Sequence, residues 1–397
     1  MNIRTVFCYG VLGLLVGCAS KPGTFKYDLD FLLKHDTGLI VLRSGDAQVI
    51  VSPKYQGKVF TSTVSGDDGP SFGWIHYNAF DRPLDQHMNA YGGENRLWLG
   101  PEGGRFSLFF PPGSKMDFEN WKTPAVFDTE PWRVMAHTDT TVNLMKLMKL
   151  TNYAGQKLTI VVGRTVMMWT REGISKRLQA PLDDQVAAVG YETGNILLNG
   201  GTEPWSDSTG MPCIWMLDML NPSASTVIVI PYHSGPGDTG KPATTDYFGE
   251  IPVDRIKFEN GVIFFKADGK SRGKLGVHPT RAPGVIGSYD AEHGVLTIAK
   301  FEMDSAAKYL NQEWNTMKLP FSGDAVNAYN DGPLADGSQM GPFYELESVA
   351  PAWALAPGAA RTYQHDVFHF TGPEASLDKI SQTVLGVSIA QIKQAFH

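Results

Sequence analysis

Cysteine is nearly absent, with only Cys8, Cys18 and Cys213 in 397 residues. Cys8 falls in the leader described below and Cys18 is the expected lipidation site that follows it, so Cys213 stands alone. An intrachain disulfide framework is excluded, and that thiol is expected as a small buried apolar residue. No Cys and His spacing suggests structural zinc. Charge is sparse at 19% and slightly acidic, 34 Lys and Arg against 41 Asp and Glu, a net of −7. There is no basic stripe to grip nucleic acid and no polybasic patch for a membrane surface. Gly-x-Ser-x-Gly and Gly-x-Gly-x-x-Gly do not occur, which removes support for a serine hydrolase of that type and for dinucleotide binding. Asp238, Asp246, Asp268 and Asp290 fall in glycine-rich loops but lack the repeated spacing of a calcium loop. No metal and no cofactor is expected. No solenoid or propeller period is visible.

Long hydrophobic runs are also missing, with one exception at the N-terminus. Arg4 gives a short positive end, Val6 to Val16 is largely apolar, and Leu15-Val16-Gly17-Cys18 has lipobox spacing. This is the pattern of a signal peptide over residues 1–17 rather than of a membrane span. It resembles bacterial lipoprotein precursors, which implies cleavage before Cys18 and lipidation of that residue. Ser20 follows and no Asp adjoins Cys18; by resemblance to Gram-negative lipoproteins, this implies the outer membrane, with its periplasmic or surface face left open. Losing Arg4 with the leader takes the net charge from −7 to −8. Residues 18–25 are read as a tether and 26–397 as a single domain, because no Pro or Ser linker interrupts its strands.

Glycine (42) and proline (25) are frequent, and apolar residues come in short runs separated by turn signals. The chain therefore reads as all-β. Strands are expected at 38–42, 47–51, 106–110, 158–162, 166–169, 187–191, 225–230, 262–265 and 295–299. Asn152–Gln156, Glu259–Val262 and Glu292–Val295 are expected as hairpin turns. Helix is expected at 27–35 and in a C-terminal segment, 374–397, where Ser376 and Ser388 are candidate N-caps separated by Gly386.

The richest concentration of chemistry runs from Asp85 to Arg105. It holds His87, Asn89, Glu94, Asn95, Arg96, Trp98, Glu102 and Arg105 among glycines. Carboxylates, amides and guanidinium groups make paired hydrogen bonds to hydroxyls, an indole covers an apolar sugar face, and glycine lets backbone approach a ligand. A surface loop carrying a self-satisfied ion cluster has the same composition. Trp205, in the loop Asn199–Trp205, is a candidate platform, whereas Trp215 lies in an apolar run and is expected in the core. Arg272 and Lys274 are candidates for neutralising a uronate or sulfate, and Lys274 for a base if desolvated.

Three passages resemble galactose-mutarotase-like proteins. Leu150-Thr-Asn-Tyr-Ala-Gly-Gln-Lys-Leu-Thr-Ile-Val-Val-Gly-Arg164-Thr-Val looks like their "N-x-x-G, strand, Arg-Thr-Val" passage. Phe343-Tyr-Glu345-Leu-Glu347-Ser-Val-Ala-Pro, followed by Leu355-Ala-Pro-Gly358, looks like their closing segment. Lys266 to Val277, then Gly287-Ser-Tyr-Asp290 and Leu296-Thr-Ile, is similar to uncharacterised bacterial lipoproteins of that superfamily. The resemblance spans roughly residues 38 to 372. It implies a β-supersandwich of antiparallel sheets with carbohydrate on a concave face.

It further implies acid and base proton transfer at the anomeric carbon, with a late-strand Glu as base and a His as acid. Glu347 matches the carboxylate best and Glu345 second; two residues apart on a strand, they share a face. The His-x-Tyr-Phe-Asn signature of mutarotases is absent, which leaves His87 and His233 as candidate acids. The leading expectation is therefore a lipid-anchored, epimerase-like protein acting on a sugar or oligosaccharide, with a lyase or hydrolase also open. The alternatives are a non-catalytic glycan-binding envelope lipoprotein and a structural envelope protein. The ligand readings require Arg96, Glu102, Lys274 and Glu347 to converge.

Overall fold

The computed structural model describes residues 20–235 and 240–396. The leader, Cys18 and Asp238 lie outside the described residues. Helix α1 (Phe25–His35) opens the chain, with the Thr24 hydroxyl accepting from the Tyr27 amide as its N-cap. Strands β1 (Ile40–Ser44), β2 (Ala47–Ser52) and β3 (Lys58–Thr63) form a three-stranded antiparallel sheet. Phe25 and Leu32 of α1 pack with Ile50 and Phe60 of this sheet and with Tyr55, Ile75 and Tyr91.

In chain order there follow β4 (Arg96–Gly100), the single-turn helix α2 (Ala125–Asp128), β5 (Arg133–His137), β6 (Thr141–Thr151), β7 (Lys157–Met168), α3 (Arg171–Leu178) and β8 (Ala187–Asn199). The middle of the chain gives β9 (Cys213–Leu220), β10 (Thr226–Pro231), β11 (Ile256–Glu259), β12 (Val262–Lys266), β13 (Gly273–Val277) and β14 (Val285–Asp290). The last strands are β15 (Val295–Phe301), β16 (Val326–Asn330), β17 (Tyr344–Val349) and β18 (Ala360–Thr371), before α4 (Glu374–Leu385) and α5 (Ile389–Gln394).

Ten of these strands form one sheet in the order β11-β12-β10-β14-β15-β18-β8-β7-β6-β5. The other five form a second sheet in the order β13-β16-β17-β9-β4. Every recorded strand pair is antiparallel, including β6 with β7 and β9 with β17. The main core contains side chains from all three sheets, among them Val49, Ile160, Val162, Met216, Leu275 and Leu346. A second apolar layer packs Ile174 and Leu178 of α3, and Leu377, Ile380, Leu385 and Ile392 of α4 and α5, against Val227, Phe264, Ile298 and Phe368 of the ten-stranded sheet. The fold is thus an antiparallel β-sandwich with α3, α4 and α5 on one outer face. Among the described residues, no helix is long and apolar enough to cross a membrane.

Local signals explain most elements, and the exceptions have physical causes. The β11-β12 hairpin turns at Asn260 (φ 50°) and Gly261 (φ 79°), where Asn and Gly tolerate the left-handed backbone a tight turn requires. Residues 158–162 and 166–169, expected as two strands, belong largely to the single strand β7. Its burial alternates along the whole length, and Gly163 and Arg164 continue the ladder to β8. Phe106–Phe110, expected as a strand, is irregular. Its aromatic residues are buried without a ladder, and the Ser107 hydroxyl accepts from the Phe109 amide.

Ser388 caps α5 in a capping box with Gln391. Ser376 caps nothing: α4 starts after Pro373, and the Ser376 hydroxyl donates to Asp183 at 3.0 Å. Helix α3 was not anticipated. Its Thr170 cap and the Ile174–Leu178 pair are sound local signals, but the other side chains of this eight-residue element are mostly polar.

Candidate functional site

Period-two alternation across the five-stranded sheet sends one set of side chains outward from the sandwich. The registers align Arg96 of β4 with Leu217 of β9, Leu217 with Glu347 of β17, and Glu347 with Asn327 of β16. A second row runs Met219, Glu345, Tyr329, Lys274, and a third pairs Trp98 with Trp215 and Trp215 with Val349. Residues of opposite parity, including Leu97, Met216, Leu275, Ala328 and Leu346, face the core. The functional face is thus assembled from five strands that are far apart in sequence.

Two ion pairs lie on this face. Lys274 Nζ is 2.9 Å from Glu347 Oε2, and the Trp215 indole N–H donates to the same oxygen at 2.9 Å. Arg96 Nη2 donates to Glu345 Oε1 at 2.6 Å. Each cation also lies over an aromatic ring, Lys274 at 4.8 Å from the Trp215 centroid and Arg96 at 5.0 Å from that of Trp98. Glu347 is fully buried, and its Oε1 has no hydrogen-bond partner among the described residues. Removing one partner of a fully ionised buried pair leaves the other charge unsatisfied, so loss of Glu347 would be costly to Lys274.

Burial pushes the Glu345 carboxyl up to about 7; the nearby Glu347 charge acts in the same direction, and the Arg96 guanidinium offsets only part of the effect. Burial pulls Lys274 down, yet Glu347 and Glu102 outweigh it and hold the ammonium above the ordinary lysine range. Lys274 is therefore a cation, not a neutral base. Burial likewise raises the Glu102 carboxyl, opposed by Lys274. Beside Arg96, the buried amine of Lys58 on β3 is pushed down to about 7 by burial and by the Arg96 charge.

Loops close this face into a cleft of about 320 Å³. One wall is aromatic: Phe118 stacks on His87 with centroids 4.4 Å apart and on Trp121 at 6.1 Å, and Trp121 stacks on Trp314 at 5.8 Å. Facing residues include Phe248, Arg272, Tyr329 and Phe343, while Arg96, Trp98, Glu102, Lys274 and Glu345 also line the space. His87 Nδ1 is 2.6 Å from the Trp121 carbonyl. A carbonyl only accepts, so that nitrogen carries hydrogen and Nε2 is left for other work.

Of the residues expected at the site, His87, Arg96, Trp98, Glu102, Arg272, Lys274 and Glu345 line this one cleft. Glu347 stands behind Lys274. The others lie elsewhere. Asn89 donates its side-chain amide to Asp128. Glu94 is fully buried, accepting from the Ser62 hydroxyl at 2.7 Å, with His369 Nε2 3.0 Å away. Asn95 has the opposite parity to Arg96 and points inward, donating to Asp218 and accepting from Arg164. Arg105 is exposed beside the Phe106 ring. Trp205 is a core residue, 3% exposed, and His233 is exposed outside the cleft lining.

Trp215, expected in the core, is buried but supplies both a cleft wall and a hydrogen bond to Glu347. Phe118, Trp121, Phe248, Trp314 and Tyr329 were not singled out. For the first four, aromatic density in Gly- and Pro-rich loops is the available signal, whereas Tyr329 sits on β16 between Lys274 and Glu345. Behind the sheet, Ser348 Oγ is 2.7 Å from His365 Nδ1, and His365 Nε2 is 2.8 Å from Asp218 Oδ2. This has the order of a nucleophilic triad, but Ser348, His365 and Asp218 are all fully buried, so no acyl group could reach the hydroxyl. It is a tie between β9, β17 and β18.

Comparison with solved structures gives the fold type. A putative aldose 1-epimerase from Escherichia coli K12 matches at 13% identity over 83% of this chain and 98% of its own, with a TM-score of 0.50. A galactose mutarotase-like protein from Lactobacillus casei matches at 12% identity over 84% of this chain and 100% of its own, with a TM-score of 0.46. The protein has the galactose mutarotase-like β-sandwich fold. Residues 23–396 match the model of a family of unknown function (DUF6786), and the chain belongs to that family. No curated protein matches it significantly.

Proposed function

We propose that the cleft binds a sugar or oligosaccharide and transfers protons at the anomeric centre, as an epimerase. The observation that carries this reading is Glu345. It is a carboxyl poised at about 7 in an aromatic-walled cleft, beside a guanidinium and an ammonium. Ring opening removes the proton of the anomeric hydroxyl while another reaches the ring oxygen, and a group near neutral pH does either efficiently. Glu345 is the base in this reading. Glu347, fully buried and held by Lys274 and Trp215, positions Lys274, whose charge stabilises oxyanion character on the sugar. His87, with Nδ1 fixed by the Trp121 carbonyl, is the acid through Nε2. The aromatic wall supplies stacking for apolar sugar faces. Similarity in fold to a putative aldose 1-epimerase supports the reading.

The test is saturation-transfer NMR of residues 22–397 against a panel of monosaccharides, uronates and glycan fragments, with anomeric exchange followed in the same spectra. The reading expects binding with accelerated exchange that disappears in Glu345→Gln. Binding with no acceleration for any sugar overturns the epimerase assignment in favour of a glycan-binding protein, and the absence of any binding overturns the carbohydrate reading altogether. The leader pattern further supports lipid attachment at Cys18 and a place at the outer membrane.

A further inference from the structure

Arg272 is the cation of the cleft whose charge has no carboxylate against it. Arg96 is paired with Glu345, and Lys274 with Glu347. Arg272 forms no ion pair among the described residues. Its Nε donates to the Tyr329 hydroxyl at 3.3 Å, and that hydroxyl in turn donates to Asp331 at 2.9 Å. The nearest acid in this chain of contacts is thus one hydroxyl removed. The guanidinium carbon also sits 3.9 Å from the centroid of Phe248. The side chain is held by a stacked ring and at Nε, while its two terminal nitrogens make no hydrogen bond among the described residues.

A flexible, hydrated arginine on an ordinary surface would gain little from any one partner. Arg272 is exposed too, but it borders the cleft and is held by the Phe248 ring and by its Nε contact to Tyr329. Fixing a planar fork in advance reduces the ordering cost of binding, and its two parallel N–H groups match the two oxygens of a carboxylate. The strand supplies a ruler. Arg272 immediately precedes β13, and Lys274 is two residues on. Residues at i and i+2 of a strand share a face and lie roughly 6.6 Å apart. In a pyranose the carboxylate on C5 and the anomeric carbon lie along one edge, joined through the ring oxygen, so two cations on one strand face can meet both ends of that edge. A sugar whose acid group meets Arg272 therefore brings its anomeric centre toward Lys274 and the Glu345 row.

We propose that the preferred ligand is a uronic acid, free or at the end of a glycan, with its carboxylate held by Arg272. This rests on the carbohydrate reading of the cleft and narrows it. The ring stacks against aromatic side chains, as a neutral sugar would, and the acid group sets its orientation.

Affinities of the soluble domain for galacturonate and glucuronate are compared with those for galactose and glucose, and with glucose 6-sulfate as an anion of different shape. The expected result is a preference of about tenfold or more for uronate over the neutral parent, as for one charge-assisted hydrogen-bond pair near solvent. The preference should shrink as salt is raised. In Arg272→Gln the ratio should fall close to one, and Tyr329→Phe should reduce it partway by releasing Nε. Equal affinity of the unaltered protein for uronate and neutral sugar overturns the carboxylate assignment while leaving the sugar site standing. Tighter binding of the sulfate than of the uronates overturns it as well. A preference that survives in Arg272→Gln assigns the carboxylate to another cation. Absence of binding by every sugar removes both readings together.

Discussion

Replacing Glu345 by Gln should make the protein more stable at pH 8 while ending its proton transfer. The folded carboxyl titrates at about 7 against an ordinary value of 4.5, mainly because burial penalises the charged form. Below pH 4.5 the group is protonated in both folded and unfolded chains and contributes no penalty. Between that pH and about 7, the unfolded chain has released its proton and the folded one has not, so stability falls as pH rises. At about 1.4 kcal/mol per pKa unit, the loss is roughly 3 kcal/mol once both states are ionised. Glu345 is only 7% exposed, so solvent screening does little to reduce this.

Glutamine approximates the protonated acid and keeps an oxygen for Arg96 Nη2. Glu345→Gln should therefore match the parent near pH 4.5 and exceed it by roughly 3 kcal/mol at pH 8, on the order of 5 °C in Tm for a chain of this size. Urea denaturation of both proteins at half-unit steps from pH 4.5 to 8.5 gives the comparison directly. A difference that stays constant with pH, or a variant less stable at pH 8, would refute the reasoning. Either result would mean that pairing with Arg96 offsets burial completely and that Glu345 is an ordinary ionised carboxylate.

Two further outcomes follow from other groups. Lys58 has the opposite sign: its folded amine titrates at about 7, below the ordinary lysine value, so its penalty is largest below that pH and is relieved as pH rises toward 10.5. Lys58→Met should raise stability most at pH 6 and least near pH 10, measured by the same denaturation series; a gain independent of pH would assign it to packing instead. Cys18→Ser should move the protein from the membrane fraction to the soluble fraction of expressing cells, read by fractionation and immunoblot, and continued membrane association would refute attachment at that residue.

The legible parts of the site were those where local spacing carries orientation. Glu345 and Glu347 are two apart in an extended run, which placed them on one face, and register with β16 and β13 brings Tyr329 and Lys274 alongside. Arg96 and Trp98 were legible as chemistry but not as strand. The polar residues and glycines before them disguise a five-residue element whose partner, β9, lies more than a hundred residues away. Trp215 resembled core because all of β9 is buried. When one face packs the sandwich and the other lines a narrow cleft, burial no longer alternates even though side-chain direction does. Phe118, Phe248 and Trp314 come from three separate loops, and no local rule brings such loops together. Asn95 and Glu94 shared the composition of the site but were taken by the buried polar network, through partners at Arg164, Asp218 and His369 that spacing does not reveal.

Strand β17 couples two separate tasks to one parity. Its odd-numbered residues Glu345 and Glu347 carry the charges of the cleft, while Leu346 packs the core and Ser348 joins the buried tie to His365. Inserting or deleting one residue there would exchange the two sets, driving carboxylates into the sandwich and exposing its packing at once. Changes in length are therefore expected to be tolerated in the loops that wall the cleft, where lengthening or shortening a segment would alter ligand preference without disturbing the strand that holds the charges.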